Sequence, residues 1–295
     1  MVSSPLPNDW LNSYAYNITS QFGEDGIIAK IFEILPQQDD YFCVEFGAGD
    51  GFTLSNTHTL INQKGWYSIQ IEANPGLYQE LMKRYEEHPR VICAHRLVSF
   101  EGENSLDNIL TQTPIPQDFD LISIDIDGND WYIWDSLQIY RPKVVLIEFV
   151  PTIPHQVAFV QPKDISVNQG SSLAAFIHLA RKKGYELIAT TDINAFFVDR
   201  KFFPLFNISN NSIWNMYKNQ SYCTFVFQLM DGTILLRGNH SLIWRRVIVD
   251  SAMNDDILMN QSVELDLDAI QNDIQKMLRE KWIPEAQARS QSNDN

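Results

Sequence analysis

The chain is poor in cysteine, with Cys43, Cys93 and Cys223 as its three members. Their wide spacing contains neither a CxxC pair nor the ligand spacing of a structural zinc site. We therefore expect reduced, buried thiols in a reducing compartment, and no disulfide framework.

The chain also lacks long apolar runs. No uncharged stretch approaches the ~20 residues that span a bilayer, and its first ten residues, MVSSPLPNDW, contain no basic region followed by an apolar one. These absences predict a cytoplasmic protein that has no membrane partner.

Basic residues are scarce as well. Lys and Arg total 22 against 37 Asp and Glu, which gives a formal net charge of −15. Binding to a phosphate backbone depends on clustered positive charge, so nucleic acid is excluded as the main partner. With 44% apolar residues in 295 positions, the chain has enough material for a full hydrophobic core.

Strand-like and helix-like patterns alternate through the middle of the chain, as in a parallel sheet covered by helices. The strand-like runs are 41–46, 67–72, 90–95, 119–125, 143–149, 185–190 and 194–198, and the helix-like runs are 55–64, 75–87, 104–111, 130–138 and 171–183. This alternation predicts an α/β fold: a Rossmann-like, doubly wound, mostly parallel seven-stranded sheet with helices on both faces. The last two runs leave no room for a helix between them and should form a hairpin at one sheet edge.

Three regions follow from the patterns. Residues 1–36 form an N-terminal cap and helix with Ser20 as its expected cap, and residues 37–200 form the α/β core. Residues 201–295 form a C-terminal extension. It contains a β-hairpin turning at Asp231–Gly232, an amphipathic helix over 264–281 and a frayed tail.

The glycine-rich turn FGAGDG, residues 46–51, follows the first buried strand. Glycine there lets the backbone approach a ligand at the carboxyl ends of the strands. A dinucleotide fingerprint would need a third glycine where Phe52 stands, and no Gly-Lys-Ser/Thr follows as a P-loop requires.

Acidic residues end two further strands. Glu72 lies roughly twenty residues after the glycines, where a carboxylate can accept hydrogen bonds from ribose hydroxyls. Asp125 ends the strand DLISIDI and should face the same crevice. The alternatives are that Glu72 caps the helix beginning at Pro75 and that Gly47 and Gly49 form an ordinary turn.

EFGAGDG (residues 45–51), Glu72 and Asp125 together resemble the class I S-adenosylmethionine-dependent methyltransferases. SQFGEDG (residues 20–26) and SIDIDGND (residues 123–130) are similar to the FkbM-like group of these enzymes, over about residues 18–200. The resemblance implies S-adenosylmethionine as cofactor and methyl transfer to a hydroxyl of a small molecule, sugar or natural product. It implies these cofactor-binding residues: Glu45, Gly47, Gly49, Asp50, Glu72, Ala73, Asn74, Val98, Ser99 and Asp125.

Two other classes of function stay open. One is a nucleotide- or NAD-dependent oxidoreductase on the same kind of sheet, which the missing glycine at Phe52 disfavours. The other is a non-catalytic module that binds a cofactor or a partner. The acceptor of a methyltransferase would be a small molecule or a glycan.

Methyl transfer to an alcohol needs a base or a metal ion near the acceptor. We predict Asp125, Asp127 and His155 as catalytic candidates. The alternatives are a helix-capping role for Asp127, Asn129 and Asp130 and a solvated position for His155.

A weaker alternative is a Mg²⁺ site formed by Asp125, Asp127 and Glu148. A calcium loop is rejected, because Asp130 and Ser136 stand where its glycine and glutamate should be. The related sequences often carry asparagine where this chain has Val150, and this departure bears on acceptor chemistry and metal binding alike.

Several other side chains are candidates for the cleft. Gln21, Glu24 and Asp25 would form a lid or else begin an exposed helix, and Asn194 could reach the cleft from the closing edge strand. An acceptor wall of aromatic residues, or else ordinary helical packing, is predicted for Trp131, Tyr132, Trp134, Trp214 and Tyr217.

Overall fold

The computed structural model describes residues 6–231, 234–239, 241–242 and 247–248. The chain forms two compact units, the first ending at Asn219 and the second beginning at Gln220. The helix predicted over 264–281 and the tail lie outside the described residues.

One seven-stranded sheet forms the centre of the first unit, in the order β3-β2-β1-β4-β5-β7-β6. Its strands are β1 Phe42–Phe46, β2 Tyr67–Glu72, β3 Val91–His95, β4 Leu121–Ile124, β5 Val144–Glu148, β6 Tyr185–Thr190 and β7 Asn194–Asp199. β7 runs antiparallel to both β5 and β6, while β1 to β5 are mutually parallel. The predicted seven-stranded, Rossmann-like α/β fold is confirmed.

Helices cover this sheet on its two faces. Their bounds are α1 Glu24–Ile34, α2 His58–Lys64, α3 Pro75–Tyr85, α4 Leu106–Leu110, α5 Asp130–Ser136, α6 Leu173–Lys183 and α7 Ile213–Met216. On one face, Asn56 before α2 donates to the Ser123 hydroxyl (3.0 Å). On the other, Trp134 of α5 packs against Phe197 of β7.

The strand order reverses between β1 and β4, which lie side by side although β2 and β3 separate them in sequence. In open α/β sheets this reversal opens a crevice outside the carboxyl ends of the strands. The glycine turn after β1 and the SIDIDGND segment after β4 therefore share one cleft.

Two local predictions were wrong. The strand containing Asn194 is not the closing edge: β7 lies between β5 and β6, because its hairpin folds back into the sheet. Helix α1 is capped not by Ser20 but by Gly23, which takes a left-handed conformation. Ser20 instead belongs to the preceding loop, where its hydroxyl accepts from the Asp25 amide (3.0 Å).

Residues 201–219 belong to the first compact unit. The indole of Trp10 donates to the Phe206 carbonyl (2.9 Å), and the Thr190 hydroxyl donates to the Met216 carbonyl (2.7 Å). The predicted domain division at residue 200 stays a prediction.

The second unit contains the predicted hairpin. Its strands β8 (Thr224–Gln228) and β9 (Ile234–Gly238) pair antiparallel, and so do β10 (Ser241–Leu242) and β11 (Val247–Ile248). Within the part of the chain that is described, no helix is long and apolar enough to cross a membrane.

We expect Trp134→Ala to lower the free energy of unfolding by about 3–5 kcal/mol, because it leaves a large cavity in the core. Trp134 is fully buried, with its ring 5.2 Å from that of Phe197 and 5.7 Å from that of Tyr185. Urea denaturation measures the loss. Trp214→Ala is the matched control, since Trp214 is 53% exposed, and an equal loss in both variants would contradict this description of the core.

Candidate active site

The sheet register aligns one residue from each of five strands at the mouth of the cleft. Ser123 of β4 pairs with Leu146 of β5, and side chains two residues apart on a strand share a face, so Asp125 lies level with Glu148. Glu148 in turn pairs with Asn194 of β7. Continuing these pairings to the strand ends gives a single line of positions across β2, β1, β4, β5 and β7. We call this line the carboxyl-edge row: Glu72, Gly47, Asp125, Glu148 and Asn194.

Gly47 occupies the most crowded position of the carboxyl-edge row. Its φ is +72°, and a Cβ there would lie 1.9 Å from the Asp125 carbonyl oxygen. A side chain would therefore push β1 and β4 apart. Glycine was predicted here so that the backbone can approach a ligand. The close neighbour observed is the Asp125 backbone, and the ligand contact of Gly47 stays a prediction.

Gly49 faces open space, since a Cβ there would have no heavy atom within 4 Å. Its amide donates to Glu72 Oε2 (2.8 Å), and the Asn74 amide donates to Glu72 Oε1 (2.6 Å). Glu72 thus links the turns after β1 and β2 beside an unfilled part of the cleft. The alternative of Glu72 as the helix cap is wrong, because Asn74 accepts from the first amides of α3.

Asp50 stabilises the glycine turn itself. Its carboxylate accepts from the amides of Phe52 (2.9 Å) and Thr53 (2.7 Å). Burial opposes ionisation of Asp50, but these hydrogen bonds outweigh it and lower the pKa. The predicted cofactor contact of Asp50 stays a prediction.

Glu45 holds the segment between the glycine turn and α2. It accepts from the hydroxyls of Ser55 (2.7 Å) and Thr57 (2.6 Å) and from the Asn56 amide (2.8 Å). Burial raises the pKa of Glu45, while these hydrogen bonds act in the opposite direction. Its predicted contact with a cofactor also stays a prediction.

Three acids converge beside the glycine turn. Asp125, Asp127 and Glu148 each offer a carboxylate oxygen, and these atoms lie within 4.8 Å of one another. Burial is the largest cause that raises the pKa of both Asp125 and Glu148, and the neighbouring acids, Asp130 among them, raise both further. A hydrogen bond between Asp125 and Glu148 is consistent with one shared proton.

This cluster has the oxygen ligands that a hard cation such as Mg²⁺ prefers. A cation would also relieve the repulsion among the acids. The structure thus brings together Asp125, Asp127 and Glu148, the three residues of the predicted Mg²⁺ site. Mg²⁺ binding itself stays a prediction.

Asp130 and Asn129 shape the turn that carries Asp125. The Asp130 carboxylate accepts from the amides of Ile126 (3.0 Å) and Gly128 (2.9 Å), and burial raises its pKa. The Asn129 amide group donates to the carbonyls of Asp164 and Val167. Asn129 occupies the N-cap position of α5 without a side-chain capping hydrogen bond, and Asp130 lies in the first turn of that helix. Asp127 is exposed and adopts φ +57°.

His155 lies among aromatic side chains. Its ring is 4.8 Å from that of Trp214 and 5.4 Å from that of Tyr217. The residue is 7% exposed, so the alternative of a solvated histidine is wrong, and burial lowers its pKa. Burial thus favours the neutral form of His155, and its catalytic role stays a prediction.

Ala73 and Ser99, predicted to lie beside the adenosine, follow β2 and β3, and their contact with a cofactor stays a prediction. The Ala73 carbonyl is 3.0 Å from His95 Nε2. Ser99 lines a cavity of about 510 Å³ together with Phe100, Asn104 and Lys163. This volume falls in the range of small-molecule sites.

The aromatic wall predicted from residues 131–134 is mostly packing. Trp134 is fully buried in the core. Tyr132 donates to the Gln161 carbonyl (2.8 Å), and Trp131 donates to the Ala175 carbonyl (3.3 Å). Trp214 and Tyr217 lie instead beside His155, past the end of β5.

Glu24 and Asp25 have roles that the sequence left undecided. Both are buried, and Glu24 Oε1 accepts from the Thr191 hydroxyl (2.7 Å) and the Asn194 amide group (3.0 Å). The alternative that these acids begin an exposed helix is wrong. The inward apolar stripe of α1 was the available signal, since a carboxylate on that side needs internal partners.

No protein-family model and no curated protein matches the chain. Among solved structures, it is similar to the CMeT domain of the citrinin polyketide synthase (15% identity over 60% of this chain and 51% of that one, TM-score 0.41). It is also similar to the N-terminal domain of EvdMO1 with SAH bound (12%, 59% and 79%, TM-score 0.39). A third is a SAM-dependent methyltransferase from Aquifex aeolicus (10%, 60% and 88%, TM-score 0.38).

The chain spans about half the length of the citrinin synthase chain that it matches. Likeness at these identities and TM-scores does not establish an activity. The function is therefore inferred from the residues of this chain.

Gly47→Ala and Gly49→Ala should differ sharply in stability. Each places a side chain at positive φ, which costs about 1–2 kcal/mol. Only Gly47→Ala also overlaps the Asp125 backbone, so we expect it to lose clearly more in urea denaturation. Equal losses in the two variants would contradict the close approach of β1 and β4.

The free energy of unfolding should fall as pH rises through the neutral range. A carboxyl whose pKa is raised in the folded state holds a proton that the unfolded chain releases, so stability is lost between the unfolded and folded pKa values. We expect Glu148→Gln to reduce the fall between about pH 5 and about pH 8 by roughly 1.4 kcal/mol or more, the equivalent of one pKa unit. Urea denaturation at both pH values measures this fall.

The matched control is Glu87→Gln, which removes an exposed glutamate. It should leave the pH dependence as in the wild type. A Glu148→Gln profile parallel to that of the wild type would show that Glu148 is ionised throughout.

Proposed function

We propose that this protein is an S-adenosylmethionine-dependent methyltransferase that acts on a hydroxyl of a small molecule, sugar or natural product. The observation that carries the proposal is the contact between Gly49 and Glu72. Through this contact, the carboxylate of Glu72 at the end of β2 lies against the glycine turn that follows β1, where the strand order reverses. The space next to Gly49 is open. Glu72 retains lone pairs there that can accept from two ribose hydroxyls.

The charge of the cleft favours this cofactor over a dinucleotide. Glu72, Asp125 and Glu148 lie in the carboxyl-edge row, and Asp127 adds a fourth carboxyl group beside them. Such a site suits a ligand that carries a sulfonium and an ammonium group and repels the two negative charges of a pyrophosphate.

The start of α2 supports the same choice. A Rossmann dinucleotide site offers free amides at a helix N-terminus to the pyrophosphate. Here the Glu45 carboxylate takes the Asn56 amide just before α2. The next two amides, of Thr57 and His58, donate to the Ser55 hydroxyl. A pyrophosphate would have to displace these internal acceptors, so the oxidoreductase alternative is disfavoured.

The residues around the acids suit transfer to an alcohol. The bound cofactor would supply an activated methyl group, whose bond to sulfur breaks as the new C–O bond forms and leaves S-adenosylhomocysteine, and the acceptor hydroxyl must lose its proton. Asp125 and Glu148 can hold or pass on that proton at their shared hydrogen bond, and exposed Asp127 can release it to solvent. A Mg²⁺ ion on the same three acids is a second version of this proposal, supported by their convergence.

Calorimetric titration tests the class of ligand. We expect the full chain to bind S-adenosylhomocysteine and not NADH. Glu72→Gln should weaken that binding at least about tenfold, or ~1.4 kcal/mol, because an amide nitrogen replaces one acceptor oxygen. Glu87→Gln is the matched control, since it removes an exposed glutamate that has no place in the acidic cluster, and it should bind as the wild type does.

Binding of NADH without S-adenosylhomocysteine would overturn the proposal. Unchanged affinity in Glu72→Gln would remove its main support. Gly49→Ala provides a second test, since its new methyl group projects into the open part of the cleft and should weaken binding.

A further inference from the structure

The N-terminal loop, residues 17–23, is held by side chains rather than by regular structure. Six consecutive amides donate to three side chains: Ile18, Thr19 and Ser20 to Asp25, Gln21 and Phe22 to Glu24, and Gly23 to Asn17. The Asp25 and Glu24 contacts measure 2.7–3.1 Å. Amides bonded inside the protein fix a loop before any ligand arrives, so its ordering entropy is not lost on binding.

The N-terminal loop is attached to the core at two points. At one, the Thr19 hydroxyl donates to the Ser55 carbonyl (2.9 Å), and the Ser55 hydroxyl in turn donates to Glu45 of β1. At the other, Glu24 Oε1 accepts from the Asn194 amide group and the Thr191 hydroxyl.

These attachments place the loop across the cleft. Ser55 is bonded to β1, whereas Asn194 is the cross-strand partner of Glu148 on β5. Because β4 and β5 lie between β1 and β7, a loop tied to Ser55 on one side and to Asn194 of β7 on the other spans the part of the sheet where Asp125 follows β4. Gln21 and Phe22 are exposed on this loop.

We propose that Glu24 is a positioning residue that fixes the N-terminal loop and Asn194 as one wall of the cleft, next to the reacting acids. This inference rests on the proposed function. Glu24 bonds the loop through Oε2 and the carboxyl-edge row through Oε1. It therefore transmits the position of the loop to the side chain beside Glu148.

Glu24→Gln keeps the size of the side chain but replaces one acceptor oxygen with a donor. Either the loop amides or the Asn194 and Thr191 donors then lose their acceptor. We expect the full chain to bind S-adenosylhomocysteine at least tenfold more weakly, with faster dissociation. Hydrogen exchange should accelerate at the amides of Gln21 and Phe22, which donate to Glu24, and stay unchanged in β1 and β4.

A reversed pair tests the geometry. In the double variant Glu24→Gln with Asn194→Asp, the new amide group can donate to the new carboxylate while its oxygen still accepts from the loop. We expect the double variant to regain most of the affinity and the amide protection, whereas Asn194→Asp alone places two carboxylates together and binds worst. Glu33→Gln, on the exposed side of α1, is the control and should match the wild type.

Wild-type affinity and wild-type amide protection in Glu24→Gln, with only its urea stability reduced, would overturn the proposal. So would a double variant no better than Glu24→Gln. If Glu24→Gln does not fold, Thr191→Val removes one donor and should shift affinity and exchange in the same direction, and no shift counts against the proposal. If the wild type binds no S-adenosylhomocysteine, the proposed function fails, and the exchange data alone decide whether Glu24 holds the loop.

Discussion

In-register pairing of neighbouring strands sets the position of every group in the cleft. The register from β2 to β7 brings Glu72, Gly47, Asp125, Glu148 and Asn194 to one level on one face. A slip of one residue in β4 would turn Asp125 to the opposite face and place Ile124 or Ile126 at the cleft. Gly47 is compatible with this register because it has no side chain, so the turn after β1 can lie against the Asp125 carbonyl.

Most of the sheet could be predicted because its strands are short apolar runs separated by helical patterns. Buried strands such as β4 and β5 need apolar residues on both faces, and they can therefore be recognised in the sequence as continuous apolar runs. The position of β7 was harder, since a hairpin can add to a sheet by either strand. The predicted start of α1 was also wrong. Ser20 is a residue type that caps helices, but its amide and its hydroxyl both donate to the Asp25 carboxylate and hold Ser20 in the N-terminal loop.

The cleft was predictable where a residue follows a strand end, as Gly47, Glu72 and Asp125 do. What those residues contact was less so. The sequence named Glu24 and Asn194 as separate candidates, but they are 170 residues apart and only the tertiary fold joins them. His155 and Trp214 are likewise far apart in sequence, and only the tertiary fold brings their rings into contact.

The inner position of β7 also makes β6 an edge strand of the sheet, at the opposite end from β3. Open strand edges invite pairing with other molecules. Here the returning chain lies against β6: Asn211 donates to the Leu187 carbonyl, and Thr190 donates to the Met216 carbonyl. Residues 203–217 thus cover part of the β6 edge, and a chain cut at residue 200 would lose that cover while keeping every strand of its seven-stranded sheet.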